Sequence, residues 1–280
     1  MQILYGRPVA ENIKKEIQEM LFELKGKNKT PKIALIRIGE NMDDITYEHS
    51  LKRNLEMFSI PYDSYVYAQD EDAEVLKKQI EKLNRDDEID GIMIFRPIHP
   101  QIEQFEINET IDWRKDIDCA TSYNQGKLFE KKSNLLYPCT PRAVMETLKF
   151  YGVDLVSKKC AVVGASQVVG KALAIMLIKE KATVTVCNSK TLDLKSETRN
   201  ADIVICATGQ AKLITKEHLK DNQVVIDIGI NFDNGKICGD VDFDNIDYDN
   251  IKITPVPKGV GVITTLTLIK QLVEKTLKLS

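Results

Sequence analysis

The stretch from Cys160 to Lys171 combines residue types that could bind a phosphate. It begins with apolar residues typical of a buried strand, and Gly164 then allows a tight turn. The hydroxyl of Ser166 can cap a helix by accepting from an early backbone N–H, and Gly170 lets that helix pack closely against a sheet. Because the free N–H groups and the dipole of a helix start attract anions, the stretch predicts a nucleotide phosphate site.

The spacing of this motif leaves an alternative open. The dinucleotide-binding fingerprint is G-x-G-x-x-G, whereas the residues here follow G-x-S-x-x-x-G. A helix start that merely packs closely would show the same residues. Strand-like segments follow at 182–187, 202–208 and 224–230. Since strands that alternate with helices are typical of a doubly wound parallel sheet, this context favours the nucleotide site.

The first half of the chain also alternates between helical and strand-like patterns. Its apolar residues recur either at helical spacing or in short continuous runs. The predicted helices span 8–24, 43–58, 73–83 and 103–111, and the predicted strands span 32–38, 64–68 and 89–95.

The two halves predict two α/β domains. A polar connection over 112–133 leads to a helix that Thr140 and Pro141 would open and that runs to about 151. Asn234-Gly235 predicts a hairpin turn, and a last helix is expected at 264–279. We expect one domain at 1–137 with 264–280, and a dinucleotide-binding domain at 138–263.

Composition and charge exclude several classes of protein. A formal net charge of −3 over 280 residues is not typical of a nucleic-acid binder. No apolar run of 18 residues and no signal-peptide pattern is present, so we expect neither a membrane span nor export. The six cysteines include no C-x-x-C pair and the three histidines are widely separated, which argues against a disulfide framework or a metal site. We expect a reduced, cytoplasmic protein.

A set of short stretches occurs in one order along nearly the whole chain, and only their combination is specific. They are Thr46-Tyr47, Asp90-Gly91-Ile92, Lys115 to Asp118, Tyr123-Asn124, Gly126, Pro138 to Pro141, Gly164 to Ser166, Val169-Gly170, Asp227 to Asn231, Gly239 to Val241, Thr254 to Pro257, and Gly259 to Gly261. In these residues the chain resembles the bifunctional methylenetetrahydrofolate dehydrogenase/cyclohydrolase (FolD-type) family.

The resemblance implies a fold, a reaction and an assembly. Two α/β domains would flank a cleft, the second a Rossmann-like doubly wound parallel sheet, and the chain would form a homodimer. A methylene carbon held by tetrahydrofolate would lose a hydride to a nicotinamide dinucleotide, which requires mainly correct positioning. Water would then open the methenyl cation, and that step requires a proton donor and acceptor.

The resemblance also implies which residues form the site. Tyr47 and Asp118 would be catalytic, with the Tyr47 ring on the pterin and the Asp118 carboxylate accepting two N–H bonds from its amino-pyrimidine edge. Asp118 could instead cap a turn, and Tyr47 falls at helical spacing with core residues. The implied substrate site comprises Tyr47, Phe95, Asp118, Pro257, Gly259 and Gly261, and the implied cofactor site comprises Gly164, Ala165, Ser166, Gly170, Ser189, Lys190 and Ile230.

The chain departs from the family at two positions that handle protons. The family's catalytic helix reads S-x-x-Y-V-x-x-K, but the lysine position here is Leu51, four residues after Tyr47. The partner glutamine of D-G-I-x-V-Q-L-P-L-P is Phe95. Neither side chain can donate or accept a proton. The adjacent Lys52 would point away from Tyr47, because one residue turns a helix by about 100°.

Other positive charges support alternatives. Arg96 and Lys258 would add positive charge near the implied cleft and favour a related oxidoreductase with a different, more anionic substrate. The missing lysine favours a non-catalytic nucleotide- or folate-binding homologue. His49 and Lys258, as substitutes for the lysine, are more typical of solvated surface groups.

The segment after the predicted second strand bears on the choice of cofactor. An NAD site usually places Asp or Glu there, whereas residues 188–191 read Asn-Ser-Lys-Thr. Ser189 and Lys190 could bind a 2′-phosphate, which favours NADP. The family's frequent arginine after the first glycine is Ala165 here, so NAD remains open. We expect an NADP-dependent methylenetetrahydrofolate dehydrogenase of one-carbon metabolism whose cyclohydrolase step is weak or lost.

Overall fold

The computed structural model describes residues 1–96, 98, 102, 104–130, 136–233 and 235–279, without the side chains of 104–106. The chain divides into two compact units. The three-stranded unit comprises Asn12–Cys139 and Thr265–Ser280, and the six-stranded unit comprises Met1–Glu11 and Thr140–Thr264. The elements in chain order are β1 (Gln2–Ile3), α1 (Gly6–Gly26), β2 (Ile33–Ile38), α2 (Met42–Met57), β3 (Tyr62–Tyr67), α3 (Ala73–Arg85), β4 (Gly91–Ile94), α4 (Gln104–Thr110), α5 (Ser122–Lys127), α6 (Cys139–Phe150), β5 (Lys159–Val163), α7 (Ala172–Lys179), β6 (Thr183–Cys187), α8 (Leu194–Asn200), β7 (Ile203–Cys206), β8 (Val224–Asp227), β9 (Asn231–Asp233), β10 (Lys236–Cys238), β11 (Lys252–Ile253) and α9 (Thr264–Leu279).

The three-stranded unit is built on a parallel sheet in the order β3-β2-β4. Its core is formed by the apolar side chains of β2, β4 and α3, whose continuous or helically spaced runs the sequence predicted. The loop after α4 runs along β4, where the Ile92 N–H donates to the Lys115 carbonyl at 2.6 Å. A Cβ added at Gly91 would lie 2.9 Å from the Leu272 side chain, so α9 packs tightly against β4.

The six-stranded unit contains a parallel sheet in the order β1-β11-β8-β7-β5-β6. After β5 the chain first adds β6 on one side and then crosses to add β7, β8 and β11 on the other. This confirms the predicted doubly wound parallel sheet. Crevices at the carboxyl ends of the strands where the winding reverses are the usual ligand sites of such sheets, and here that point lies at the end of β5.

Several boundaries differ from the sequence predictions. Residues 1–11 were assigned to the first domain, but β1 is an edge strand of the six-stranded sheet because Gln2 and Ile3 pair with β11. Helix α5 lies inside the predicted polar connection, and α6 already begins at Cys139, so Thr140 is helical rather than an N-cap. Strands β9 and β10 pair antiparallel on either side of the predicted Asn234-Gly235 turn, and Asn234 lies outside the described residues.

No helix in the described part of the chain combines the length and apolar character that crossing a membrane requires.

Candidate functional site

Tyr47 and Phe95 form an aromatic pair in the three-stranded unit. Their ring centroids lie 6.0 Å apart with an angle of 74° between the planes, an edge-to-face contact. Leu51 follows Tyr47 by one turn of α2 and is 0% exposed, as expected of a core position. Phe95 was predicted to contact substrate, but it is only 3% exposed. The Phe95 ring therefore orients the half-buried Tyr47 and leaves almost no surface of its own for a ligand.

Lys52 lies on a different side of α2 and is held by a buried carboxylate. Glu48 accepts from Arg37 Nε at 2.6 Å, from Ser64 Oγ at 2.9 Å and from Lys52 Nζ at 2.7 Å. Burial opposes the ionisation of Glu48, but the bonds from Lys52, Arg37 and Ser64 outweigh burial and lower its pKa. Lys52 Nζ also lies 5.8 Å from the Tyr62 ring centroid. Lys52 is thus engaged on the β3 side of the helix, away from Tyr47, as its sequence position predicted.

A buried carboxylate two residues before Asp118 organises the loop that carries it. Asp116 accepts from the Ala120 N–H at 2.8 Å, the Thr121 N–H at 2.9 Å, Thr121 Oγ1 at 2.7 Å and Asn124 Nδ2 at 2.8 Å. Burial raises the pKa of Asp116, and these bonds oppose that rise. Sequence reasoning assigned no function to Asp116. The signal was available, because an Asp followed by Thr and Asn at five and eight residues has the donors that such a turn needs.

Asp118 is already partnered on both oxygens. Its Oδ2 accepts from Arg96 Nη2 at 2.6 Å, and its Oδ1 accepts from the Cys139 N–H at 3.2 Å. The Arg96 and Asp118 side chains are 16% and 18% exposed. Burial opposes the charge of Arg96, but Asp118 outweighs burial and raises the pKa of the guanidinium. The expectation that Arg96 supplies free positive charge is therefore wrong, since its charge is balanced by Asp118.

The turn after β5 in the six-stranded unit requires its two glycines. Gly164 has φ +118°, and a Cβ there would lie 2.1 Å from the Ala207 carbonyl oxygen. A Cβ on Gly170 would lie 1.8 Å from the Gly164 carbonyl oxygen. Ser166 Oγ accepts from the Gly170 N–H at 3.4 Å, as expected of a cap, although the turn it caps, Gln167–Lys171, is π-helical and precedes α7. Ala165 is half-buried within this turn.

Ser189 and Lys190 lie at the same sheet edge as this glycine turn. The Gly164 N–H donates to the Cys187 carbonyl at 2.9 Å, which joins the ends of β5 and β6. The turn after β6 is held by Asn188, whose side chain accepts from the Lys190 N–H at 2.8 Å. The Ser189 and Lys190 side chains are exposed. The structure therefore brings together the cofactor residues predicted at the ends of β5 and β6.

The remaining predicted residues line a separate pocket of about 200 Å³ at the carboxyl end of β8. Ile230, predicted for the cofactor, lies there with Pro257, Gly259 and Gly261, which were predicted for the substrate. A Cβ on Gly259 would lie 2.3 Å from the Pro255 carbonyl oxygen, so the loop tolerates only glycine at that point. The pocket thus combines residues that sequence reasoning divided between two ligands.

Asp227, at the end of β8, holds the backbone next to this pocket in place through hydrogen bonds. It accepts from the Gly229 N–H at 3.0 Å, the Asp240 N–H at 3.0 Å and the Val241 N–H at 2.9 Å. Burial raises its pKa to about 7, against the effect of these bonds. A Cβ on Gly239 would lie 1.9 Å from Asp227 Oδ2, so the carboxylate and its neighbouring glycines fix the path of the backbone.

Comparisons with known proteins identify relatives of both units. The model of the tetrahydrofolate dehydrogenase/cyclohydrolase catalytic domain matches residues 4–118, and the model of the NAD(P)-binding domain of the same family matches residues 138–279. The bifunctional protein FolD of Clostridium botulinum (strain Langeland / NCTC 10281 / Type F) is 44% identical over 274 residues, which cover 98% of this chain and 97% of that protein.

Solved structures of bifunctional enzymes share the fold. The methylenetetrahydrofolate dehydrogenase/cyclohydrolase FolD of Campylobacter jejuni is 36% identical with a TM-score of 0.96, and the match covers 100% of both chains. The Trypanosoma brucei enzyme, solved as a complex with NADP cofactor and inhibitor, is 32% identical with a TM-score of 0.92, and the match covers 99% of this chain and 97% of that one.

Proposed function

Because the chain belongs to the tetrahydrofolate dehydrogenase/cyclohydrolase family, we propose that it oxidises 5,10-methylenetetrahydrofolate to 5,10-methenyltetrahydrofolate with NADP, and that its cyclohydrolase step is weak or absent. The observation that carries the second part is the burial of Leu51 and Phe95 beside Tyr47. Two apolar side chains occupy the positions where the family handles protons, and neither can transfer one.

The dehydrogenase step makes few chemical demands on the protein. Loss of a hydride from the methylene carbon leaves a cation and needs no proton transfer, so positioning is the main contribution. The exposed part of the Tyr47 ring would pack on the pterin. Asp118 would accept from its amino-pyrimidine edge. The absence of a lysine at position 51 therefore leaves this step possible.

The residues at the ends of β5 and β6 fit a phosphorylated dinucleotide, which when bound supplies the hydride acceptor. A Cβ at Gly164 or Gly170 would strike the backbone, so these glycines permit the tight turn that would present the free N–H groups of the helix start to a pyrophosphate. Residues 188–191 contain no acid that would repel a 2′-phosphate. Ser189 and Lys190 are exposed there and would donate to it.

One assay set tests the proposed reaction. Purified full-length protein is mixed with methylenetetrahydrofolate and either NADP or NAD, and methenyl formation is followed by absorbance. Hydrolysis of added methenyltetrahydrofolate is timed separately against buffer. We expect methenyl to accumulate with NADP and hydrolysis to remain near the uncatalysed rate. No turnover with either cofactor would refute the dehydrogenase, and fast hydrolysis would refute the loss of the cyclohydrolase.

The cofactor preference has its own variant. Lys190→Ala should raise the KM for NADP about 10- to 100-fold, because a charge-assisted hydrogen bond is worth about 1.5–3 kcal/mol. The KM for NAD should hardly change. Lys158→Ala, at another exposed lysine of the same unit, is the matched control. An equal effect of Lys190→Ala on both cofactors would exclude a 2′-phosphate contact.

The alternative of a more anionic substrate loses one of its two supports. Arg96 is paired with Asp118 and adds no net charge to the site. Lys258 is exposed in the other unit and remains its only support among the residues named for it.

We also infer that the protein is cytoplasmic, because all six of its cysteines are free thiols.

We infer further that the protein forms a homodimer. The hairpin β9–β10 exposes Phe232 at 63% and Ile237 at 46%, cross-strand neighbours whose apolar surface a second copy would bury. Phe232→Asp should shift the mass measured by light scattering from dimer to monomer. Phe22→Asp, at a phenylalanine on α1 that is 82% exposed, should leave the mass unchanged.

A further inference from the structure

We propose that Arg96 and Asp118 act together on the pyrimidine edge of the pterin, which makes Arg96 a specificity-determining residue for the 4-oxo group. The inference rests on the proposed folate substrate and adds to it a recognition element that Asp118 alone would not supply.

The contacts of the pair leave both groups with binding capacity. An ionised carboxylate has about four acceptor positions. Asp118 uses one on Oδ2 for Arg96 and one on Oδ1 for the Cys139 N–H, so each oxygen retains one. The guanidinium has five N–H donors. Within the described ranges, Arg96 makes one hydrogen bond, to Asp118.

The order of these groups matches the order of groups on the ring. The edge of a 2-amino-4-oxopteridine presents the O4 acceptor, the N3–H donor and the 2-amino donor in a row. Arg96 lies beside Oδ2 of Asp118, so the pair presents a donor followed by two acceptors. Arg96 would donate to O4, Oδ2 would accept from N3–H, and Oδ1 would accept from the 2-amino group. All three bonds would be charge-assisted.

A 4-amino ring reverses two of the three positions. Its 4-amino group is a donor that would face the Arg96 donor, and its N3 is an acceptor that would face Oδ2. A site whose buried polar groups are left unpaired rejects an analogue strongly. Arg96 and Oδ2 of Asp118 would thus each meet one mismatched group, and the mismatch at position 4 itself would fall on Arg96.

The surroundings hold the pair in place before a ligand binds. The loop that carries Asp118 is fixed by the Asp116 bonds, and Arg96 directly follows Phe95, which is packed on Tyr47. Both side chains of the pair are largely buried but retain some exposed surface. A ligand would thus meet donors and acceptors that need little reorganisation.

The test compares two ligands that differ only at position 4. Tetrahydrofolate and tetrahydroaminopterin are titrated anaerobically into the full chain by calorimetry, without dinucleotide. We expect the wild type to prefer tetrahydrofolate. Arg96→Leu should reduce that preference about 10- to 100-fold, the value of one hydrogen bond to a charged group. Arg96→Lys, which keeps the charge but not the fork, should reduce it less.

The controls separate this inference from the proposed function. Arg114→Leu removes an arginine that is paired with Asp112 on the surface, and it should leave the preference unchanged. If Arg96→Leu weakens both ligands equally, the pair is only structural and the inference is overturned while the folate substrate stands. If the wild type binds neither ligand, the folate substrate and the inference both fail. If Arg96→Leu does not fold, an unchanged preference in Arg96→Lys overturns the inference.

Discussion

Leu51→Lys combined with Phe95→Gln should restore hydrolysis of the methenyl compound. The two positions flank Tyr47: Leu51 follows it by one turn of α2, and the Phe95 ring packs against its edge. Side chains four residues apart on a helix are neighbours, so the introduced amine would lie along the Tyr47 ring. The introduced amide could then hold that amine in place.

The structure indicates how much folding stability the double variant would lose. Leu51 is fully buried, and burial lowers the pKa of an amine. The same chain contains an example, since burial lowers the pKa of Lys275 from 10.5 to about 8. A change of that size corresponds to about 3 kcal/mol of stability. Replacement of the buried Phe95 ring, including its contact with Tyr47, would add about 3 kcal/mol or more. The double variant should therefore unfold more easily but remain folded.

The same burial makes the introduced amine useful for catalysis. An amine with a pKa near 8 exists partly as a free base at neutral pH, and a positioned acid or base typically accelerates a reaction about 10²- to 10⁴-fold. We expect an increase in that range for hydrolysis, measured as the decay of methenyl absorbance. Dehydrogenase turnover should change far less, because hydride loss needs no proton transfer.

Each single variant is the matched control for the pair. Leu51→Lys alone should gain less, since no amide orients its amine, and Phe95→Gln alone should gain nothing. If the double variant retains its circular dichroism spectrum and dehydrogenase turnover but hydrolyses no faster than the wild type, our account of the two proton-handling positions is wrong.

Three further changes test the supports of the two units. Gly170→Ala should abolish the thermal stabilisation by NADP, because its Cβ would meet the backbone oxygen of Gly164 at 1.8 Å; retained stabilisation would contradict this. Asp116→Ala should lower the free energy of unfolding, measured in urea, by about 3 kcal/mol or more and should weaken tetrahydrofolate binding, because it leaves buried donors unpaired. If neither stability nor binding changes, Asp116 does not organise the loop. Between pH 8 and 10.5 the unfolded chain binds the Lys275 proton and the folded chain does not. The free energy of unfolding of the wild type, measured in urea, should therefore rise by up to about 3 kcal/mol relative to that of Lys275→Met as the pH increases. If the two free energies change with pH in the same way, the lowered pKa of Lys275 is refuted.

The sequence predicted the helices and strands that are determined by the pattern of neighbouring residues. Helix α9 was expected at 264–279 and spans Thr264–Leu279, because its apolar spacing is continuous. The strand expected at 224–230 ends at Asp227 instead. Its carboxylate accepts from the Gly229 N–H, and this turn interrupts a run that still looks apolar. Helix α5 was hidden because its cap, Thr121, is fixed by Asp116, a bond that composition does not reveal.

The candidate site shows the same division. The tight turn at Gly164 and Gly170 could be predicted because glycine is the residue type that such a turn requires, and a Cβ at either position would strike the backbone. The pairing of Arg96 with Asp118 could not, because 22 residues separate them and only the course of the loop along β4 brings them together. Charge alone suggested an anionic ligand, whereas the fold provides the counter-charge internally.

The pairing of Gln2 with Lys252 has a consequence for biosynthesis. Strand β1 is synthesised long before β11, the strand with which it pairs, so this edge of the six-stranded sheet stays unpaired while the intervening chain is made. Contacts so distant in sequence slow folding, and unpaired strand edges invite aggregation. An extension placed directly before β1 would hinder this late pairing, so a fusion placed after α9 should give the better yield of native protein.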